Sequence, residues 1–219
     1  MSSFIVHTIP GSPAARAVMA ALIEKDAAFR VAGLTPGAHR MEPHLSRHPF
    51  GKMPVLEHED FTLYETQAIL RYLERILPSP PLVPTEARDA ARMDQVIGIS
   101  DWYLFQGVSS VIGFQRIVGP RIMGLTPDEA AIQAAMPRAH LVFGELSRLL
   151  GQKDHLASQR VTLADLMVAP HLDFLFQTPE WAELTRGRAN LDDWIRRMNQ
   201  RDCMRLTTWE AVAQLAQAG

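Results

Sequence analysis

The sequence has a single cysteine, Cys203, in 219 residues. A lone cysteine excludes an intrachain disulfide and any Cys-x-x-Cys redox or zinc motif, so dithiol oxidoreductase chemistry falls away. A charge excess of either sign is also missing. The formal net charge is -2 with 21% charged residues, and bulk charge of that kind draws no nucleic acid. No apolar run reaches membrane-spanning length. Met1-Ser2-Ser3-Phe4-Ile5-Val6-His7 lacks the basic start, apolar stretch and cleavage site of a secretory leader. The expected location is the cytoplasm, with no membrane partner. There is no internal repeat and no low-complexity segment beyond one proline-rich stretch. The rest, 47% hydrophobic, is the composition of an ordinary folded protein. Its length suits two modest domains, though it does not exclude one.

Residues 4–9 suit a short buried strand, Gly11-Ser12-Pro13 punctuates it, and 14–25 reads as a helix. Residues 29–31 form a weak second strand. Residues 35–49 are polar, rich in His and broken by Pro36, Gly37, Pro43 and Pro49, which predicts an irregular connection with one short helix. Two short strands around the acidic turn Glu59-Asp60 make an antiparallel hairpin. A helix follows with Ile69, Leu70, Leu73, Ile76 and Leu77 at helical spacing. The order β-α-β, connection, β-β-α predicts a small mixed sheet of four strands flanked by helices, an α/β domain of thioredoxin-like type over residues 1–77.

Four prolines in the seven residues from Pro78 to Pro84 prevent a helix and stiffen the chain, so 78–85 reads as a linker. Beyond it strand signals disappear, and residues 86–219 are expected to form an all-α helical bundle, with segments near 86–118, 127–150, 163–177, 191–200 and 205–217. One start signal there is sharp. Thr162 and Asp165 form a capping-box pair, with Val161 and Leu166 placed for a hydrophobic staple.

Local motifs then add a resemblance. Gly11-Ser12-Pro13-Ala14-Ala15-Arg16 looks like the segment of serine-type cytosolic glutathione S-transferases in which a serine precedes the first helix. His39-Arg40 follows, then His48-Pro49-Phe50-Gly51-Lys52-Met53-Pro54-Val55, then Tyr64-Glu65-Thr66. The last two are similar to the asparagine-Pro-Phe-Gly, cis-proline and acidic-Ser/Thr patterns of phi-class and related bacterial members, with theta-class kinship. His48 stands where the asparagine is usual. Val161-Thr162-Leu163-Ala164-Asp165 resembles the family's second-domain capping motif, so the likeness spans nearly the whole chain.

The resemblance implies glutathione as co-substrate and no metal. It implies Ser12 as the hydroxyl that stabilises the glutathione thiolate, although a serine followed by proline is by itself an ordinary helix N-cap. It implies Glu65 for the γ-glutamyl ammonium and the Thr66 N–H and hydroxyl for the adjoining carboxylate. Met53 before a cis Pro54 would pair with the cysteinyl backbone, and His39, Arg40 and Lys52 would meet the glycine carboxylate. Asp101 would reach glutathione across a homodimer interface, and Phe50 would be an aromatic key in the neighbouring subunit or bury within its own domain. Trp102, Phe105, Gln106, Phe114 and Ile117 fit a site for a small hydrophobic electrophile and fit ordinary core as well.

The implied activity is attack of the thiolate on a small electrophile, with peroxide reduction as a related outcome. A catalytically weak binding or scaffold protein of the same fold, and a glutathione-dependent isomerase or dehalogenase, are the alternatives. A glutaredoxin-like reductase is disfavoured because Ala14 and Ala15 stand where a cysteine would be needed.

Overall fold

The computed structural model describes residues 4–218. Met1 to Ser3, part of the segment read as lacking leader character, lie outside the described residues.

Strand β1 (Phe4–Thr8) runs through the middle of a four-stranded sheet ordered β2-β1-β3-β4. Helix α1 (Pro13–Glu24) joins it to β2 (Phe29–Gly33), which lies parallel to it with Phe4 opposite Phe29 and Thr8 opposite Gly33. On its other side β3 (Val55–His58) is antiparallel, with His7 opposite Val55, and β4 (Phe61–Tyr64) closes the hairpin with Val55 opposite Tyr64. The period of two turns Phe4, Val6, Leu56 and His58 to one face. There His58 stacks on Phe4 and bonds the hydroxyl of Tyr72 in α3 (Thr66–Ile76). Ile69, Leu70 and Leu73 of the expected α3 stripe are buried, whereas Ile76 at the helix end is 37% exposed. Between β2 and β3 the chain makes one 3₁₀ turn, Ala38–Arg40, and a short helix α2 (His44–Arg47).

The proline-rich segment is pinned at its start by a buried cation. Lys25 donates to the carbonyls of Leu77 and Pro80 at 2.6 and 3.0 Å and pairs with Glu74 at 2.7 Å.

Packing divides the chain into two units, one of residues up to Pro81 plus those from Gln200 onward, the other Leu82–Asn199. In the second, α4 (Ala87–Ile99) continues through Ser100–Val118 into α5 (Gly119–Met123). The rod breaks at Gln106 and Gly107, where φ of Gly107 is 92°. Arg138 of α6 (Glu129–Leu150) braces the break by donating to the Trp102 carbonyl at 2.9 Å. Helix α7 (Leu163–Phe176) is apolar on nearly every side and buried accordingly. Its predicted capping box forms, the Asp165 carboxylate accepting the Thr162 N–H at 2.8 Å. Helices α8 (Trp181–Leu184) and α9 (Ala189–Asn199) complete the unit.

Sequence alone counts 200–218 with a helical domain 86–219. By packing, α10 (Asp202–Arg205) and α11 (Trp209–Ala218) belong instead with the sheet unit. Arg201 bonds Glu24 of α1 through two 2.8 Å contacts, and α11 lies on β2, where Ala216 covers Gly33. The apolar side of a short helix carries no mark of which surface it will cover, so this assignment is visible only after folding.

Candidate functional site

The pairings that build the sheet also gather the candidate residues. Because β1 and β2 are parallel and β3 is antiparallel to both β1 and β4, the ends of β1, β2 and β4 and the start of β3 lie at one edge. Ser12 follows β1, the loop bearing His39, Arg40 and Lys52 follows β2, Met53 and Pro54 precede β3, and Glu65 and Thr66 follow β4. Three connections of the chain, β1–α1, β2–β3 and β4–α3, therefore meet at one end of the sheet.

Ser12 is the N-cap of α1, with Pro13 in the first turn, and its Oγ accepts the Ala15 N–H at 3.3 Å. A hydroxyl has one proton to donate besides its lone pairs, so capping leaves the Ser12 O–H available to another acceptor. Thr8 offers no such proton, being fully buried and donating to the Ile9 carbonyl at 3.0 Å. His7 is engaged elsewhere, with Nε2 3.1 Å from Glu57, which also accepts from Arg47 at 2.7 Å. Burial pushes Glu57 upward, but the hydrogen bonds from Arg47 and His7 outweigh it and hold the carboxyl below its ordinary range.

Glu65 has φ 70° and ψ 116°, a backbone geometry that side chains rarely adopt, and its own side chain does not cap α3. Such strain costs about 1–3 kcal/mol and persists where the surroundings impose it. Thr66 opens the helix beside it. The Met53-Pro54 bond is cis.

The cationic loop is held from beneath. His44, 1% exposed, donates Nε2–H to the Lys52 carbonyl at 2.7 Å. A Cβ on Gly51 would lie 3.0 Å from the His39 carbonyl, so the Lys52 loop and the His39-Arg40 turn run side by side. Arg40 and Lys52 are exposed. Burial, then the charges of Arg40, His44 and Lys52, push the His39 imidazole below its ordinary value. His48, in the asparagine position, is 2% exposed with its ring centroid 4.6 Å from that of Tyr64. Burial lowers its basicity although Glu65 pulls the other way.

In the second unit, Asp101 is half-buried near the start of Ser100–Val118, Trp102 and Phe105 are exposed, Gln106 sits in the helix break, and Phe114 and Ile117 are half-buried. Among the described residues no group of His, Cys, Asp and Glu side chains is arranged to hold a metal ion.

Known proteins carry the same plan. The glutathione S-transferase N-terminal domain profile matches residues 2–75, and the C-terminal domain profile matches 102–202. Glutathione S-transferase F7 of Arabidopsis thaliana is 31% identical over 199 residues, 89% of this chain and 94% of that protein. The chain belongs to the glutathione S-transferase family. Another family member, glutathione S-transferase F6 of the same plant, is 30% identical over 89% of this chain and 94% of its own length. The crystal structure of glutathione transferase F2 from Populus trichocarpa matches with a TM-score of 0.83 at 25% identity, over 99% of this chain and all of that one (100%).

The family's two-part organisation, a mixed-sheet thioredoxin-like domain followed by a helical one, is the fold found here. Sequence reasoning missed His44, the support of the Lys52 loop, since nothing local distinguishes it from the neighbouring histidines. It also missed Trp209, whose ring packs on Gly11 immediately before Ser12. No signal near residue 209 points to residue 11.

Proposed function

We propose that this chain binds glutathione at the described edge of the sheet and activates its thiol for attack on a small hydrophobic electrophile. The observation that carries the reading is the meeting of Ser12, Met53, Glu65 and Thr66 at one sheet end, with the Ser12 O–H left to donate.

A thiol with a pKa near the usual ~8.5 is mostly protonated at neutral pH, and only the thiolate is a good nucleophile. The Ser12 hydroxyl donates to the sulfur, and the first turn of α1 adds the positive end of its dipole, both favouring the anion. The proton leaves to solvent. The thiolate sulfur then forms a bond to the electrophilic carbon, and the leaving group departs with the bonding pair or, in an addition, the displaced electrons take a proton.

Recognition divides along the tripeptide. Glu65 pairs with the γ-glutamyl ammonium while the Thr66 N–H and hydroxyl receive the carboxylate on the same carbon. The Met53 backbone pairs with the cysteinyl residue, and Arg40 and Lys52 receive the glycine carboxylate, with His39 as a neutral hydrogen-bond donor. Asp101 is assigned to the cross-subunit contact of a homodimer. Phe50 meets His48 and Tyr64 edge-on yet stays 71% exposed, which supports a role for its ring in that dimer. The cytoplasm is the proposed location. Among the described residues no helix is long and apolar enough to cross a membrane.

Calorimetric titration of glutathione into wild type and Ser12→Ala, with the ultraviolet thiolate absorbance followed against pH, tests the reading. Wild type binds, its bound thiol ionises at lower pH than free glutathione, and the Ser12→Ala complex loses that shift. Failure of wild type to bind would overturn the site and favour the scaffold alternative.

A further inference from the structure

The turn that presents Ser12 is gripped by the C-terminal tail of the same unit. Gly11 is buried with φ 84°, and a Cβ placed on it would lie 2.0 Å from Cζ3 and 2.1 Å from Cε3 of Trp209. The indole therefore occupies the space where any other residue at 11 would put its side chain. One turn into α1, Arg16 is 3% exposed and points into the tail, donating Nη2–H to the Met204 carbonyl at 3.0 Å and Nε–H to Thr207 Oγ1 at 3.3 Å. Thr207 in turn donates to the Cys203 carbonyl at 2.6 Å. Ser12 sits between these two attachments, Trp209 on the residue before it and the Arg16 clamp four residues after it.

We propose that Trp209 is a positioning residue for Ser12: its ring, packed on Gly11, fixes the β1–α1 turn so that the serine hydroxyl meets the glutathione sulfur. The proposal rests on the glutathione reading above and extends it to a residue of the C-terminal tail. A hydroxyl that stabilises a thiolate works through one short, directional hydrogen bond, so a displacement of a few tenths of an ångström matters there. Salt-bridged carboxylates at the ends of the tripeptide tolerate the same displacement. Loosening the tail consequently separates thiol activation from affinity.

The test compares full-length wild type, Trp209→Leu and Trp209→Phe, with Val212→Ala as a control that removes buried tail volume without touching Gly11. Calorimetry reads the glutathione Kd, ultraviolet titration reads the ionisation of the bound thiol, and thermal unfolding reads stability. Trp209→Leu is expected to keep Kd, measured at a pH below the ionisation of the bound thiol, within about threefold of wild type while the bound thiol ionises about one pH unit higher, a tenfold smaller thiolate fraction at that pH. Trp209→Phe restores most of the shift. Val212→Ala lowers the melting temperature and leaves the ionisation unchanged.

A Trp209→Leu complex whose thiol ionises as in wild type, or a Val212→Ala complex that shifts as far, overturns the positioning role. If Trp209→Leu does not fold, Trp209→Met decides, since it too removes the ring from Gly11: an ionisation identical to wild type at a lowered melting temperature makes Trp209 merely structural. Absence of glutathione binding by wild type is a different failure, that of the glutathione reading itself, and it removes this proposal with it.

Discussion

Asp165 accepts the indole N–H of Trp194 at 3.2 Å, joining the cap of α7 to the middle of α9. The carboxylate is wholly buried and also accepts the Thr162 N–H, the Thr162 hydroxyl and the Leu156 N–H, at 2.8, 2.9 and 2.9 Å. Asp165→Ala strands these donors without water, which costs about 3–5 kcal/mol. Urea unfolding is expected to show the midpoint falling sharply with little change in slope. An unchanged midpoint would mean the donors find other partners.

Ser12→Ala has a second consequence besides its effect on the thiol. Losing the cap on the Ala15 N–H lowers stability by about 1 kcal/mol. Ser12→Thr restores the cap, so its unfolding free energy returns to the wild-type value, measurable without glutathione.

The strained backbone at Glu65 predicts a trade of stability for function. Glu65→Gly relaxes φ 70° and gives up the carboxylate. The variant is expected to melt at a higher temperature than wild type and to bind glutathione at least tenfold more weakly by calorimetry. A lower melting temperature would locate the strain elsewhere.

Cys203 is 1% exposed, and burial, then its hydrogen bond to Glu24, push its thiol up to about 12. A protonated, covered thiol does not attack disulfides. The native protein is expected to leave Ellman's reagent uncoloured for hours and to react once unfolded in guanidinium. Prompt reaction in the native state would contradict the burial.

His171 is buried, shares a 2.9 Å hydrogen bond with Ser109, and is pushed by burial from 6.5 to about 4. Below about pH 6.5 the unfolded chain takes up a proton that the folded chain refuses, so stability present above that pH is lost as the pH falls and levels off near 4. The loss amounts to about 3 kcal/mol at most. Urea unfolding of wild type and His171→Asn compared across this range should show the wild-type advantage shrinking with acidity, and a constant difference would exclude the linkage.

Much of this protein was legible along its chain because the deciding signals are local. The apolar run over 4–9, the two short strands around the turn in 55–64, the helical stripe at Ile69, Leu70 and Leu73 and the Thr162/Asp165 pair each act within a few residues, and the strands, α3 and the capping box formed where these signals lie. Helices α8 and α10 escaped notice because four-residue turns hold too little pattern to register. Gly11 shows the limit most clearly. Its sequence neighbours mark a turn, yet the ring that closes on it comes from residue 209, and no local rule joins positions so far apart.

By itself the sequence determined the order of the four strands and of the longer helices and the lack of a second cysteine, since hydrophobic period and turn chemistry are properties of short segments. Only the tertiary structure decided that 200–218 returns to the sheet, that His44 holds the Lys52 carbonyl, that Glu65 sits in a strained backbone and that Cys203 is sealed. Burial, strain and charge proximity arise from pairs of residues brought together by packing, and they exist only once the chain has closed on itself.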